Sequence, residues 1–281
     1  MEYNIGIIGA GTMGVGIASC LTLHDVKYVL VDISDEKLNH AKKEIEKYVR
    51  FSKLVDKSIT SKEDVFTNSI LTTDLTAVAE CDIVIENIPE IWDIKKPLYG
   101  QLENICHEKT IFAANTSCTS ITKIASLTKR PEKVIGIHFM NPVVLMPTVE
   151  VIKGFLTDTI CVEYSLEFLK SINKNSIVVN DGIGFASNRI SHVFMNEAAF
   201  TVYENIASPK DVDELFKQCF SHKIGPLETA DIIGIDTVLN SLNVLYQDFQ
   251  DPKYRACPLL KQMVQANRLG RKTGIGFYIY K

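Results

Sequence analysis

The stretch that most constrains the fold is "IGIIGAGTMGVGIA", close to the start of the 281-residue chain. It places Gly9, Gly11 and Gly14 in a G-x-G-x-x-G pattern, between an apolar run typical of a β-strand and one typical of a helix. The first glycine permits a tight turn, the second lets a ligand approach the backbone, and the third lets helix and strand pack closely. The helix begins near Thr12 and Met13, and its first-turn N–H groups favour a pyrophosphate.

A carboxylate follows this loop at the distance that a dinucleotide site requires. The apolar run "KYVLVD" ends at Asp32, about twenty residues beyond the glycines, where an acid accepts hydrogen bonds from the adenosine ribose hydroxyls. An acid here repels a 2′-phosphate, and Ile33 and Ser34 stand where an arginine would neutralise one. We therefore predict NAD rather than NADP as the cofactor, held by the glycine loop, the first helical turn and Asp32.

The first half of the chain alternates short β-branched runs with longer helical patterns, as expected of β-α-β units and a parallel sheet. Beyond about residue 184 the strand signals fade and apolar residues recur at helical spacing. The predicted fold class is α/β, with a Rossmann, doubly wound, mostly parallel sheet followed by an all-helical C-terminal domain. We place the domains at 1–182 and 183–281, with a helical insertion at about 36–68 that leaves the compact sheet.

Composition argues against several classes of partner. The net charge is -4, which gives no general attraction to nucleic acid or anionic lipid, and no apolar stretch is long enough to span a bilayer. The seven cysteines are scattered without a C-x-x-C pair, which favours a reducing compartment over a disulfide framework or a zinc site. The N-terminus lacks the basic start of a signal peptide. We expect a cytoplasmic protein with no metal, no membrane segment and no nucleic-acid partner.

One histidine lies where a sheet of this kind binds ligands. His138 is near the end of the predicted strand "VIGIHF", and open α/β sheets bind ligands at the carboxyl ends of their strands. Glu150 lies in the next extended segment, "TVEVIKG", and its carboxylate can accept the far N–H of His138 if the two segments run side by side. Histidine is the usual proton carrier near neutral pH. The residues alone leave a catalytic pair and a structural pair both open.

Several motifs occur in one order along essentially the whole chain, namely "GIIGAGTMGVGIA", "IVIENIPE", "NTSCTSIT", "GIHFMNPV", "VEVIKG", "GFASNRI", "IGPLETADIIGID" and "GRKTGIGFY". Through them the sequence resembles the 3-hydroxyacyl-CoA dehydrogenase family, in particular its short bacterial 3-hydroxybutyryl-CoA type. The resemblance implies an NAD-dependent oxidation of a 3-hydroxyacyl thioester, with 3-hydroxybutyryl-CoA as the implied substrate. It also implies a homodimer that forms through the helical domain.

The resemblance implies roles at the reacting centre. His138 matches the family's base, which takes the 3-hydroxyl proton, and Glu150 matches the acid that orients it. Ser117 and Asn188 match the polar residues that hold the reacting oxygen and the thioester end, and Asn141 matches a residue lining the cleft beside the base. Apart from the resemblance, Ser117 is explained equally well as the cap of a helix near residue 120, and Asn188 as a helix-surface amide.

Further candidates lie on the cofactor and carrier sides. The resemblance assigns Glu90, Lys95 and Asn115 to positions beside the cofactor. Lys53 and Lys57, in the predicted insertion, are candidate contacts for the thioester carrier. The sequence does not separate these two lysines from a solvated, charged helix face.

The chain departs from the family at two places where the thioester carrier would reach. Pro147 stands where the family commonly has a basic residue, and the segment 50–68 is shorter and less basic than usual. These departures leave open an alternative, a dehydrogenase of a hydroxyacyl or glyceryl group bound to an acyl carrier protein. A second alternative, from another class, is a non-catalytic protein that keeps NAD binding for a structural or sensing role.

Overall fold

The computed structural model describes residues 2–55 and 65–280, the side chains of residues 53–55 excepted. The chain divides into two compact units, Met1–Asp181 and Gly182–Lys281. The first unit contains a sheet with helices on its faces, and the second is built of helices.

The sheet of the first unit has eight strands among the described residues, in the order β3-β2-β1-β4-β5-β6-β7-β8. All neighbouring strands are parallel except β6 and β7, which are antiparallel. The strands are β1 Asn4–Ile8, β2 Lys27–Val31, β3 Ser69–Thr72, β4 Ile83–Glu86, β5 Ile111–Ala114, β6 Val134–His138, β7 Thr148–Lys153 and β8 Asn175–Asn180. The order steps outward from β1 in both directions, so the predicted doubly wound Rossmann fold is confirmed.

The central strands are apolar at almost every position because helices cover both faces of the sheet. Strand β4 reads IVIE and β5 reads IFAA, and every residue of both is buried. The helices of this unit are α1 Thr12–Leu23, α2 Asp35–Val55, α3 Trp92–Ile105, α4 Ile121–Ala125 and α5 Thr159–Ser171. Because β1, β4, β5 and β6 are parallel, the residues that follow them meet at one edge of the sheet.

Helix α2 corrects one prediction. The helical insertion at about 36–68 is predicted to leave the compact sheet, yet Leu38, Ala41, Ile45 and Val49 are buried in the same core cluster as the strands. Their spacing of three or four residues places them on one face of the helix, while the charged residues between them take the outer face. The prediction is therefore wrong for this part of α2, and residues 56–64 lie outside the described residues.

The antiparallel step from β6 to β7 decides which side chains meet at the end of β6. The register pairs His138, the last residue of β6, with Glu150 in the middle of β7. Directly paired side chains lie on the same face of a sheet, about 5 Å apart at their Cβ atoms. The two residues that the sequence predicts to interact are therefore cross-strand neighbours.

The second unit consists of helices α6 Ser187–Tyr203, α7 Pro209–Cys219, α8 Pro226–Ile233, α9 Ile235–Phe249 and α10 Pro258–Gln265. Ser208 caps α7, because its hydroxyl accepts the Asp211 N–H at 3.2 Å. The core of this unit includes Leu227, Val238 and Leu242. No helix in the described part of either unit is both long and apolar enough to cross a bilayer.

Candidate active site

The glycine loop joins β1 to α1 by the turn that the sequence predicts. Gly9 has a φ of 97°, in the region that favours glycine, and its N–H donates to the Val31 carbonyl at 2.7 Å. A Cβ added at Gly14 would collide with the carbonyl oxygen of Gly9, so no larger residue fits there. Gly11, in contrast, has no atom within 4 Å of such a Cβ, and the loop is open on that side.

Asp32 supports this loop from the end of β2. Its Oδ2 accepts the Ala10 N–H at 2.9 Å, and its Oδ1 accepts the Ser34 N–H at 3.2 Å. The Lys37 ammonium lies 3.9 Å from Oδ1. The Asp32 carboxylate thus holds the glycine loop in place. It also lies where the sequence predicts an acid that contacts the adenosine ribose.

These residues fit NAD. Thr12 and Met13 form the first turn of α1, where helix N–H groups have no partner within the helix and attract phosphate oxygens. The Met13 side chain packs against the core, so this residue offers its backbone to a ligand. The open side at Gly11 and the carboxylate of Asp32 border the same turn.

His138 lies between a carboxylate and a hydroxyl. Its Nδ1 is 3.1 Å from Glu150 Oε2, and its Nε2 is 3.2 Å from Ser117 Oγ. His138 and Glu150 are each only 6% exposed. Because a carboxylate only accepts hydrogen bonds, Nδ1 must carry the proton, which leaves the lone pair of neutral imidazole on Nε2.

Glu90 holds the loop that carries Ser117. Its Oε1 accepts the Ser117 N–H at 2.9 Å, and its Oε2 accepts the Thr119 hydroxyl at 2.8 Å. Ser120, rather than Ser117, caps helix α4 by accepting the Lys123 N–H. The capping explanation of Ser117 therefore fails, and its hydroxyl faces His138 instead.

Lys95 is buried against a carboxylate that the sequence analysis missed. Its Nζ lies 2.8 Å from both oxygens of Glu86, and 3.6 Å from Glu90. The Tyr99 hydroxyl donates to Glu86 Oε2 at 3.2 Å. Burial raises the pKa of Glu86, and the Lys95 ammonium acts against that rise. Glu86 ends β4 just as His138 ends β6, so its position at a strand end was the signal that could have found it.

Asn115 and Asn141 occupy the same carboxyl edge. The Asn115 side chain donates to Asn87 Oδ1 at 2.6 Å and accepts the Phe139 N–H at 3.1 Å, which ties together the segments after β4, β5 and β6. Asn141 is exposed, three residues beyond His138, and a cis peptide bond joins it to Pro142. Asn115 thus fixes the edge, and Asn141 is an exposed residue beside it.

Three further predicted residues are Asn188, Lys53 and Lys57. Asn188 belongs to the second unit, in the first turn of α6, where it is half-buried and its carbonyl accepts from His192 at 2.9 Å. Lys53 lies near the end of α2, and Lys57 lies outside the described residues.

Two further features bear on the site. A cavity of about 580 Å³ opens at the opposite, amino edge of the sheet, where its lining includes Cys81, Ile111 and Cys161 but none of the residues above. Among the described residues, no group of three or more histidine, cysteine or acidic side chains is arranged to hold a metal ion.

Comparison with known proteins identifies the family. Residues 4–182 match the model of the 3-hydroxyacyl-CoA dehydrogenase NAD binding domain, and residues 184–280 match that of the 3-hydroxyacyl-CoA dehydrogenase C-terminal domain. A 3-hydroxybutyryl-CoA dehydrogenase of Clostridioides difficile is 44% identical, with 98% of this chain and 99% of the relative covered. The human mitochondrial hydroxyacyl-coenzyme A dehydrogenase is 34% identical, with 99% and 91% covered.

Solved structures support the same family. An (S)-3-hydroxybutyryl-CoA dehydrogenase from Ralstonia eutropha superposes with a TM-score of 0.93 at 39% identity, and all of both chains is covered. The chain therefore belongs to the 3-hydroxyacyl-CoA dehydrogenase family and is an NAD-dependent oxidoreductase.

Proposed function

We propose that the protein interconverts 3-hydroxybutyryl-CoA and acetoacetyl-CoA with NAD, with His138 as the catalytic base. The observation that carries this proposal is the hydrogen-bonded series of Glu150, His138 and Ser117 at the carboxyl edge of the sheet. The glycine loop lies at the same edge of the sheet. Relatives that share 40 to 44% identity with the chain are named 3-hydroxybutyryl-CoA dehydrogenases.

His138 accepts the proton of the 3-hydroxyl group at Nε2. Its lone pair points along the direction now taken by Ser117 Oγ, 3.2 Å away, so a substrate hydroxyl that bonds to both is held for transfer. The imidazolium that results is paired with the Glu150 carboxylate at 3.1 Å. NAD, when bound, supplies the acceptor for the hydride that leaves C3.

In this proposal Ser117 binds the reacting oxygen of the substrate. Its hydroxyl donates to the oxygen as the ketone forms, and the loop that carries it is fixed by Glu90. We assign Asn188 to the thioester end of the substrate and Asn141 to the lining of the cleft. The proposed cofactor side comprises Gly9, Gly11, Thr12, Met13, Gly14, Asp32, Glu90, Lys95 and Asn115.

The proposed carrier is coenzyme A, with Lys53 and Lys57 as its candidate contacts. The competing candidate for the carrier is an acyl carrier protein. This alternative rests on Pro147, which stands just before β7 in place of a basic residue. The Pro147 carbonyl accepts the Asn175 N–H at 2.8 Å, so this position joins β7 to β8 and offers no charge to a phosphate.

Turnover of the same acyl group on two carriers tests which thioester the protein uses as its substrate. We expect NADH oxidation with acetoacetyl-CoA to exceed that with acetoacetyl-carrier protein by at least about tenfold in kcat/KM. A reversal of this order would assign the protein to carrier-linked substrates. Tight NADH binding without turnover of either thioester would favour a non-catalytic role.

We also propose that the protein is a cytoplasmic homodimer, paired through the helical unit. Large apolar side chains are exposed there, including Ile190, Ile206, Leu215 and Phe220. The described cysteines are all free thiols, as expected of a reducing compartment. Light scattering on the purified protein should give about twice the 31.4 kDa mass of one chain, and a monomer would contradict the pairing.

A further inference from the structure

The Glu86–Lys95 ion pair is the most deeply buried pair of opposite charges at the carboxyl edge of the sheet, within the part of the chain that the structure describes. Both side chains are 1% exposed. Glu86 accepts from the Ile88 N–H at 2.7 Å and from the Tyr99 hydroxyl at 3.2 Å, in addition to its two bonds from Lys95. A buried ion pair contributes little more to stability than apolar side chains of similar size would in its place. Stability therefore does not explain why this pair is present.

Its surroundings connect it to the reacting centre. The Lys95 ammonium also lies 3.6 Å from Glu90 Oε2, and Glu90 is 41% exposed. Glu90 in turn accepts from the Ser117 N–H and the Thr119 hydroxyl, and Ser117 Oγ lies 3.2 Å from His138. An unbroken series of polar contacts therefore runs from Glu86 to the base.

We propose that Glu86 is a positioning residue, which anchors Lys95 so that Glu90 keeps the Ser117 loop against His138. The kinetic part of the proposal rests on the function proposed above. Lys95 uses its hydrogen bonds on Glu86 and on the Ile88 carbonyl, 3.4 Å away, and approaches Glu90 only as a charge. Glu90 is thus left to bind the loop with both of its oxygens.

Loss of the Glu86 charge should redirect Lys95. In Glu86→Gln the ammonium keeps its place in a buried site but loses the carboxylate that balances it, and Glu90 is the next carboxylate within reach. A closer Lys95–Glu90 contact draws the Glu90 oxygens away from Ser117 and Thr119. Because a displacement of about 1 Å at a reacting group can cost as much as about a hundredfold in rate, the effect should appear in kcat.

A second, largely buried ion pair that also involves a residue of α3 provides a matched control. Glu103, also on α3, pairs with Arg130 at 3.1 Å, and their side chains are 11% and 9% exposed. Neither residue contacts the series that leads to His138. Glu103→Gln therefore removes the charge of a largely buried carboxylate from α3 without touching the Ser117 loop.

Steady-state kinetics with acetoacetyl-CoA compare the two variants. We expect Glu86→Gln to lower kcat at least about tenfold while the KM for the thioester changes less than about threefold. Glu103→Gln should keep kcat within about twofold of the wild type. A smaller loss in Glu86→Gln, or an equal loss in both variants, would overturn the proposal.

The single tryptophan provides a readout that needs no substrate. Trp92 opens α3, between Glu90 and Lys95, and the Lys123 ammonium lies 4.1 Å from its ring centroid. We expect its emission to shift or change intensity in Glu86→Gln and to stay as in the wild type in Glu103→Gln. If the wild type fails to turn over any thioester, the proposed function fails. The Trp92 emission of Glu86→Gln then decides the positioning proposal by itself. A spectrum unchanged from the wild type would overturn the proposal.

Thr119→Val tests the far end of the series if Glu86→Gln does not fold. It removes one of the two bonds that Glu90 makes to the loop, and Thr119 is only partly buried. We expect a loss of about fivefold in kcat without a change in the melting temperature. An unchanged kcat would contradict the proposed role of the loop contact.

Discussion

Replacement of Glu150 by glutamine perturbs the paired groups with the least change of shape. Glu150 and His138 are cross-strand neighbours, 3.1 Å apart and both buried. The glutamine oxygen can still accept the Nδ1–H, so the tautomer and the ring orientation are kept. What is lost is the charge that balances the imidazolium, and this charge is needed only after His138 has taken the proton.

The magnitude follows from the geometry. A buried hydrogen bond to a charged group is worth about 1.5 to 3 kcal/mol. Since each 1.36 kcal/mol corresponds to a factor of ten in rate, kcat should fall roughly ten- to 150-fold. The substrate-binding step forms no imidazolium, so KM should change little.

Initial rates of NADH formation at 340 nm with 3-hydroxybutyryl-CoA and NAD measure this directly, because His138 takes up the proton in this direction. Glu103→Gln, remote from His138, serves as the control for the loss of a buried carboxylate. If Glu150→Gln keeps kcat within about threefold of the wild type, or if the loss appears only in KM, then the carboxylate does not stabilise the imidazolium.

Four further outcomes are expected. Asp32→Ala should raise the KM for NAD about tenfold and improve the use of NADP, because Lys37 then faces a 2′-phosphate without the competing carboxylate; an unchanged cofactor preference would contradict this. Gly14→Ala should abolish NADH binding in a fluorescence titration, because its Cβ collides with the backbone of the loop; normal binding would refute that. Burial raises the pKa of Cys81 and of Cys161 to about 12, so a thiol reagent at pH 8 should modify the exposed Cys219 first. The stability that these two buried thiols contribute is fully present below about pH 9 and should decline as the pH rises toward 12, which denaturant titrations across that window measure.

The local patterns in the sequence predicted the sheet and the pair at its edge. Gly9 and Gly14 are required by backbone conformation and close packing, which depend on nearby residues. The pairing of His138 with Glu150 followed from two adjacent segments of apolar residues joined by a short connection. Features of this kind are encoded within a few tens of residues, so one sequence suffices to predict them.

Features that depend on distant contacts were missed or misjudged. The resemblance assigns Lys95 to the cofactor side, but the sequence does not show that this lysine is buried, because Glu86, on another element, supplies its counter-charge. The outer charges of α2 concealed a buried face at Leu38 and Ile45, since that face is defined only by the sheet that it covers. Burial of a charge or of a helix face is a property of the fold rather than of the local sequence.

The assignment of His138 as the base is tested most directly by one pair of measurements on His138→Gln. NADH oxidation with acetoacetyl-CoA is followed at 340 nm, and NADH binding is followed by fluorescence on the same preparation. We predict a loss of about 10²- to 10⁴-fold in kcat, the usual share of general acid–base catalysis, with NADH affinity within about twofold of the wild type. Turnover close to that of the wild type would contradict the assignment of His138 as the base.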